Sequence, residues 1–157
     1  MQERAGEAFV LATANDIESL PPEFLRKGRF DEVWWVDLPN QEERMAVLAA
    51  ALRSLGRWDG GPQGSIDHQK VAAACDRFTG AEIAAIVPDA MFAAFADGAR
   101  DLVTSDLLEA AKSVVPLADT AGDKIARMRA WAEGKARFAS RAAGSRERPS
   151  RGRKIDL

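Results

Sequence analysis

Only two segments of this chain read as sheet strands, and two strands cannot bury enough surface to stand as a sheet alone. Ala8 to Ala14, Ala-Phe-Val-Leu-Ala-Thr-Ala, is apolar apart from Thr13, the pattern of a strand buried on both faces of a parallel sheet. A second run, Val33-Trp34-Trp35-Val36, lies between Asp31-Glu32 and Asp37-Leu38-Pro39. The expectation is an α/β fragment of two parallel strands plus helices, with its remaining strands supplied from elsewhere. Between the runs, Pro21-Pro22 predicts a loop and then a helix that starts near Pro22 and stops at Gly28.

After Pro39 the periodicity becomes helical. Asn40 and Glu43 form a capping box, and Met45, Leu48, Leu52 and Leu55 follow on one face until Gly56. Gly56 to Gly64 holds four glycines and a proline, which marks a hinge. Asp67 caps a helix bearing Val71, Ala74, Cys75 and Phe78. Thr79-Gly80-Ala81-Glu82 is a capping box for the next helix, whose core face is Ile83, Ile86, Val87, Ala90, Met91, Ala94 and Phe95, with a kink expected at Pro88. Thr104 is expected to cap a third helix and Thr120 with Asp123 a fourth, carrying Ile125, Met128 and Trp131. The predicted organisation is an α/β part over 1–56, a hinge over 57–64, an all-helical subdomain over 65–140 and a basic, disordered tail over 141–157.

Composition removes several function classes. No apolar run approaches the roughly 20 residues of a membrane-spanning helix, and the polar start Met1-Gln2-Glu3-Arg4 has no signal-peptide character, so a cytoplasmic protein is expected. One cysteine, Cys75, and one histidine, His68, are too few for a Cys/His metal site. The net charge of -2 conceals an asymmetry: residues 1–120 carry 11 Lys+Arg against 20 Asp+Glu, whereas residues 121–157 carry 11 against 4. An acidic body therefore precedes a basic end. That end offers a contact for nucleic acid, a membrane surface or an acidic partner, although solvation is its simpler fate.

The segment with chemistry is Phe9-Val10-Leu11-Ala12-Thr13-Ala14-Asn15-Asp16 followed by Leu20-Pro21-Pro22-Glu23-Phe24-Leu25-Arg26-Lys27-Gly28-Arg29-Phe30-Asp31. It resembles the AAA-family ATPases, in which a strand ends at an Asn termed sensor 1 and, eleven residues later, a helix ends in Arg-x-Gly-Arg-Phe-Asp. The wording is similar to a subgroup found in bacteria, cyanobacteria and plastids, over residues 1 to about 140. The resemblance implies that Asn15 orients water or the γ-phosphate, and that Arg26 and Arg29 reach into the nucleotide site of a neighbouring subunit. It also implies that Gly80-Ala81, at the start of a lid helix, approaches the nucleotide. The parent protein would bind ATP and Mg²⁺, form a homo-oligomer, a hexameric ring, and remodel a macromolecule. The residue types suit that chemistry. A neutral amide can bond a phosphoryl oxygen without repelling it, and a guanidinium fork neutralises charge that spreads in phosphoryl transfer.

Plainer readings stand beside these. Asn15 can simply cap a turn, Arg26 and Arg29 can complement a helix dipole, and Gly80-Ala81 can be no more than a small first turn. Trp34 and Trp35 read as sheet core, and Cys75, Met91 and Phe95 as core. The chain has no Gly-x-x-x-x-Gly-Lys-Ser/Thr phosphate loop and no apolar strand ending in paired acids before Asn15, so little ATP or Mg²⁺ binding is expected of this chain alone. The resemblance places Met1-Gln2-Glu3 inside an ATPase domain, which leads us to expect a piece of a longer protein. Two alternatives to a hydrolytic parent follow: a non-hydrolytic binding module, and a subunit that donates its arginines to a neighbour with an intact phosphate loop.

Overall fold

The computed structural model describes residues 9–17, 19–21, 23, 30–57 and 66–140. Its elements are β1 (Trp34–Trp35), α1 (Gln41–Ser54), α2 (His68–Ala74), α3 (Gly80–Ala96), α4 (Thr104–Ser113), α5 (Leu117–Thr120), α6 (Gly122–Ala132) and β2 (Arg137–Phe138). The class is as expected: a small α/β fragment joined to a helical part. The predicted helix ending at Gly28, nearly all of the hinge and the basic tail lie outside the described residues.

Helix starts follow the sequence closely. Asn40 Oδ1 accepts from the Glu43 amide at 3.0 Å while Glu43 Oε2 accepts from the Asn40 amide at 2.9 Å, a complete capping box. Asp67 caps α2 by accepting from the Lys70 amide at 2.9 Å. Thr79 and Glu82 close the box that opens α3. The cap expected at Thr104 moves one residue, to Val103, because the Thr104 hydroxyl instead accepts from the Asp67 amide at 2.8 Å and ties α4 to α2. Asp106 accepts from the Val103 amide in its place. The fourth predicted helix is α6, which starts at Gly122 with no side-chain cap from Thr120, and the short α5 before it was not expected.

One core holds α1 to α4 together. Leu48 and Leu52 of α1, Val71 of α2, Ile83, Ile86 and Val87 of α3 and Leu107 of α4 are wholly buried in a single cluster, joined by Cys75, Phe78 and Leu102. Removing each such side chain from water contributes about 1.5–3 kcal/mol. Arg44 is the buried exception at 8% exposure. Its guanidinium donates to the Ala72 carbonyl at 2.8 Å, the Pro39 carbonyl at 3.0 Å and Gln41 Oε1 at 2.7 Å, and lies 3.2 Å from Asp76. A charge on the core face is therefore tolerated because it satisfies carbonyls at the ends of two other segments.

Several expectations do not hold. Phe9–Ala14 forms no strand, and Phe9 and Leu11 are 93% and 81% exposed. A strand meant for two-sided burial needs neighbours on both edges, and among the described residues none reaches this segment. The parallel partner of β1 is instead β2, in the register Trp34 with Arg137 and Trp35 with Phe138. Trp34 is half exposed, and the Arg137 guanidinium lies over it, 5.7 Å from its ring centre. Phe95 is not core. It lies on the solvent side of α3 with Phe92, because the buried stripe of Ile83, Ile86, Val87, Ala90 and Ala94 turns the opposite side to helices α1 and α4. Leu55 is likewise exposed, beyond the last turn of α1. The kink expected at Pro88 is a separate matter from helix length: α3 continues past Pro88, which sits on its exposed side.

Candidate functional site

Asn15 lies on an exposed bend. The chain turns directly after it: the Ser19 hydroxyl donates to the Asp16 carbonyl at 2.8 Å and the Leu20 amide to the Ile17 carbonyl at 3.2 Å. Asp16 is gripped from the far end of the chain, with Lys124 Nζ of α6 3.0 Å from its carboxylate. Arg26 and Arg29 lie outside the described residues.

Gly80 and Ala81 are the first two residues of α3, where amide N–H groups have no acceptor within the helix. Among the described residues a Cβ added at Gly80 would meet only the Val47 methyls, at 4.0 Å. Packing among the described residues therefore does not require glycine here, and Ala81 is exposed. Below them Glu82 is fully engaged. Its Oε2 accepts from the Thr79 amide at 2.7 Å and from the Thr79 hydroxyl at 2.9 Å, and its Oε1 accepts from the Leu117 amide at 2.7 Å. Partial burial pushes its carboxyl upward, but the Thr79 and Leu117 donors outweigh this and hold it below the usual range. The first turn of α3 thus keeps its small, uncovered face free of a competing carboxylate.

The C-terminal segment contacts both the Asn15 bend and the start of α3. Leu117, held by Glu82, opens α5, and α6 follows with Lys124 on Asp16. Five residues further along α6, the Arg129 Nε and Nη2 donate to both oxygens of Asp37, at 2.8 and 2.7 Å. Asp37 immediately follows the run that contains β1. Burial raises its pKa, yet Arg129 and the Leu38 amide together bring it below the ordinary value. None of these pairings was anticipated from local sequence. The available signal was the charge asymmetry, an acidic body facing a basic end.

Among the described residues no group of three His, Cys, Asp or Glu side chains is placed to hold a metal, and no helix is long and apolar enough to cross a membrane. Cys75 is buried, and burial raises its thiol pKa despite the nearby Arg44 charge.

A search of curated proteins finds relatives matched over 143 residues, 89% of this chain. An "Uncharacterized AAA domain-containing protein ycf46" from Guillardia theta is 42% identical to it, and its counterpart from Pyropia yezoensis 39%. The chain belongs to the AAA family. More distant AAA-family relatives include the "ATP-dependent zinc metalloprotease FtsH" of Acidothermus cellulolyticus, 37% identical over 72% of this chain and 16% of its own length. The chain spans 27% and 28% of the length of the Guillardia and Pyropia relatives. No family model matches the chain. No solved structure matches it either.

Proposed function

We propose that this AAA-family chain supplies three parts of an ATPase module: sensor 1, the trans-acting arginine fingers and the helical lid. In this reading Asn15 orients the attacking water or a γ-phosphate oxygen through its side-chain amide. Arg26 and Arg29 neutralise charge on the phosphoryl group held by a neighbouring subunit. Gly80 and Ala81 let the backbone at the start of α3 approach the nucleotide, which fits the space left beside Gly80. ATP and Mg²⁺ would be held chiefly by a phosphate loop and acidic strand outside these 157 residues. The assembly is a homo-oligomeric ring, a hexamer, that remodels a macromolecule in the cytoplasm. The observation that carries the reading is the spacing of Asn15 to the Arg26-Lys27-Gly28-Arg29-Phe30-Asp31 motif, in a chain 42% identical to an AAA-domain protein.

The test is a segment exchange. Residues 9–140 replace the matching segment of the full-length Guillardia theta relative, and hydrolysis of Mg²⁺–ATP is measured beside the unaltered relative. The exchanged protein is expected to hydrolyse ATP, and Asn15→Ala within it to lower kcat while leaving ATP binding intact. Equal kcat for the Asn15→Ala form removes the sensor assignment.

A further inference from the structure

We propose that the segment running from α6 into β2 is a positioning strap, which holds the Asn15–Asp16 turn and β1 in place through Lys124, Arg129 and Arg137. This rests on the reading of Asn15 as a phosphate-sensing residue for its catalytic consequence, though not for the docking itself. The sequence leaves the basic C-terminal end without a role, and the structure places part of it against acidic residues at three separate points.

The contacts are spread along one continuous piece of chain. Lys124 lies 3.0 Å from Asp16, the residue after Asn15. Arg129 grips Asp37 with two hydrogen bonds across 92 residues. Arg137 lies 2.8 Å from Glu32, directly before the apolar run that contains β1. Between and beyond these cations the backbone pairs as well: the Arg137 amide donates to the Val33 carbonyl at 2.9 Å and the Ala139 amide to the Trp35 carbonyl at 2.8 Å. Ala132, the last residue of α6, is wholly buried. At its other end the segment is continuous with α5, whose Leu117 amide is held by Glu82 beside Gly80-Ala81. A single stretch of some twenty residues thus touches the start of α3, the bend at Asn15 and both ends of the β1 run.

Charge and exposure decide how such a strap behaves. All three cations are partly exposed, with side chains between 45% and 64% accessible, so each pair alone contributes little to global stability. The bidentate Arg129–Asp37 pair has the fixed geometry, because its fork meets both carboxylate oxygens. The two-residue strand pair cannot persist on its own hydrogen bonds. Docking therefore depends on several weak contacts acting together, which makes it reversible and sensitive to salt. The core of α1 to α4 does not depend on it, since none of that cluster comes from α6 or β2.

The test follows amide hydrogen exchange in the full 157-residue chain, comparing wild type with Arg129→Gln, Asp37→Asn and the exchanged pair Asp37→Arg/Arg129→Asp. Exchange at the Arg137 and Ala139 amides is expected to rise at least fivefold in each single variant and in 1 M NaCl, and to return most of the way in the exchanged pair. The amides of α3 between Ile86 and Ala94 serve as the internal reference and are expected to be unchanged. Equal acceleration in α3 would make Arg129 a general stability residue, and unchanged exchange at Arg137 and Ala139 would remove the strap. In the Guillardia theta relative carrying residues 9–140 in place of its matching segment, Arg129→Gln is expected to lower the kcat of Mg²⁺–ATP hydrolysis without raising KM. Unchanged kcat overturns the coupling of the strap to the site. If the hydrogen-exchange results hold and even the unsubstituted segment gives no hydrolysis, the functional reading fails and the docking stands.

Discussion

Glu82 Oε1 accepts a hydrogen bond from the Leu117 amide at 2.7 Å, so one carboxylate serves both the cap of α3 and the start of α5. Replacing it by alanine removes the return half of the capping box and leaves the Leu117 amide without its acceptor. We expect Glu82→Ala to destabilise the helical part by about 1–2 kcal/mol, read from the urea midpoint. Glu82→Gln keeps one acceptor but turns its NH2 toward the other backbone amide, and should cost about as much as alanine.

Acid should loosen the same contacts. Glu82 and Asp37 sit below their ordinary pKa values because their hydrogen-bond donors outweigh burial, and Asp106 does so because the Arg100 guanidinium grips it. A group with a depressed folded-state pKa stabilises fully above its unfolded value and loses that contribution as pH falls through the folded one. Stability should therefore be flat above the ordinary 4.5 of Glu82 and fall below it, most steeply beneath the 3.8 of Asp37 and Asp106. A chain equally stable at pH 3 and pH 6 by thermal unfolding would contradict this. Asp37→Asn and Asp106→Asn should each flatten the low-pH slope.

The helix pattern was legible because it rests on local rules. Asn40 with Glu43, Asp67, and Thr79 with Glu82 are caps set within four residues, and all three appear where their spacing puts them. What failed depended on partners far along the chain. The apolar run at Phe9–Ala14 has strand composition, but a strand exists only with a neighbour, and β1 found its neighbour at Arg137–Phe138. Phe95 sits at a position whose spacing was matched to the core face, yet it is exposed with Phe92, because the buried stripe of α3 runs through Ile83, Ile86, Val87, Ala90 and Ala94. Of the candidate site, Asn15 and Gly80-Ala81 were readable as a motif; the salt-bridged segment joining their surroundings was not, because Arg129 and Asp37 lie 92 residues apart.

Arg44 should tolerate no simple replacement. Its fork satisfies the Ala72 and Pro39 carbonyls together, so Arg44→Ala strands two acceptors near the core and Arg44→Lys cannot reach both. We expect losses of about 2–4 kcal/mol for alanine, and more than half of that for lysine, in denaturant unfolding. A lysine variant as stable as wild type would show that charge alone suffices.

Cys75 should be silent in the folded chain. Its side chain is wholly buried and burial raises its thiol pKa. Reaction with a thiol reagent at pH 8 is expected to be at least a hundredfold slower than in denaturant. Rapid labelling of the native chain would mean that the α1–α4 core opens readily.

The proposal that Arg26 and Arg29 complete a neighbour's ATP site is open to a test in trans. We would mix it with the full-length Guillardia theta relative whose own two matching arginines are replaced by alanine, and measure Mg²⁺–ATP hydrolysis. The wild-type chain is expected to restore hydrolysis and Arg26→Ala/Arg29→Ala is not, a difference on the order of 10³ in rate. Equal rates with the wild-type and doubly substituted chains would contradict it.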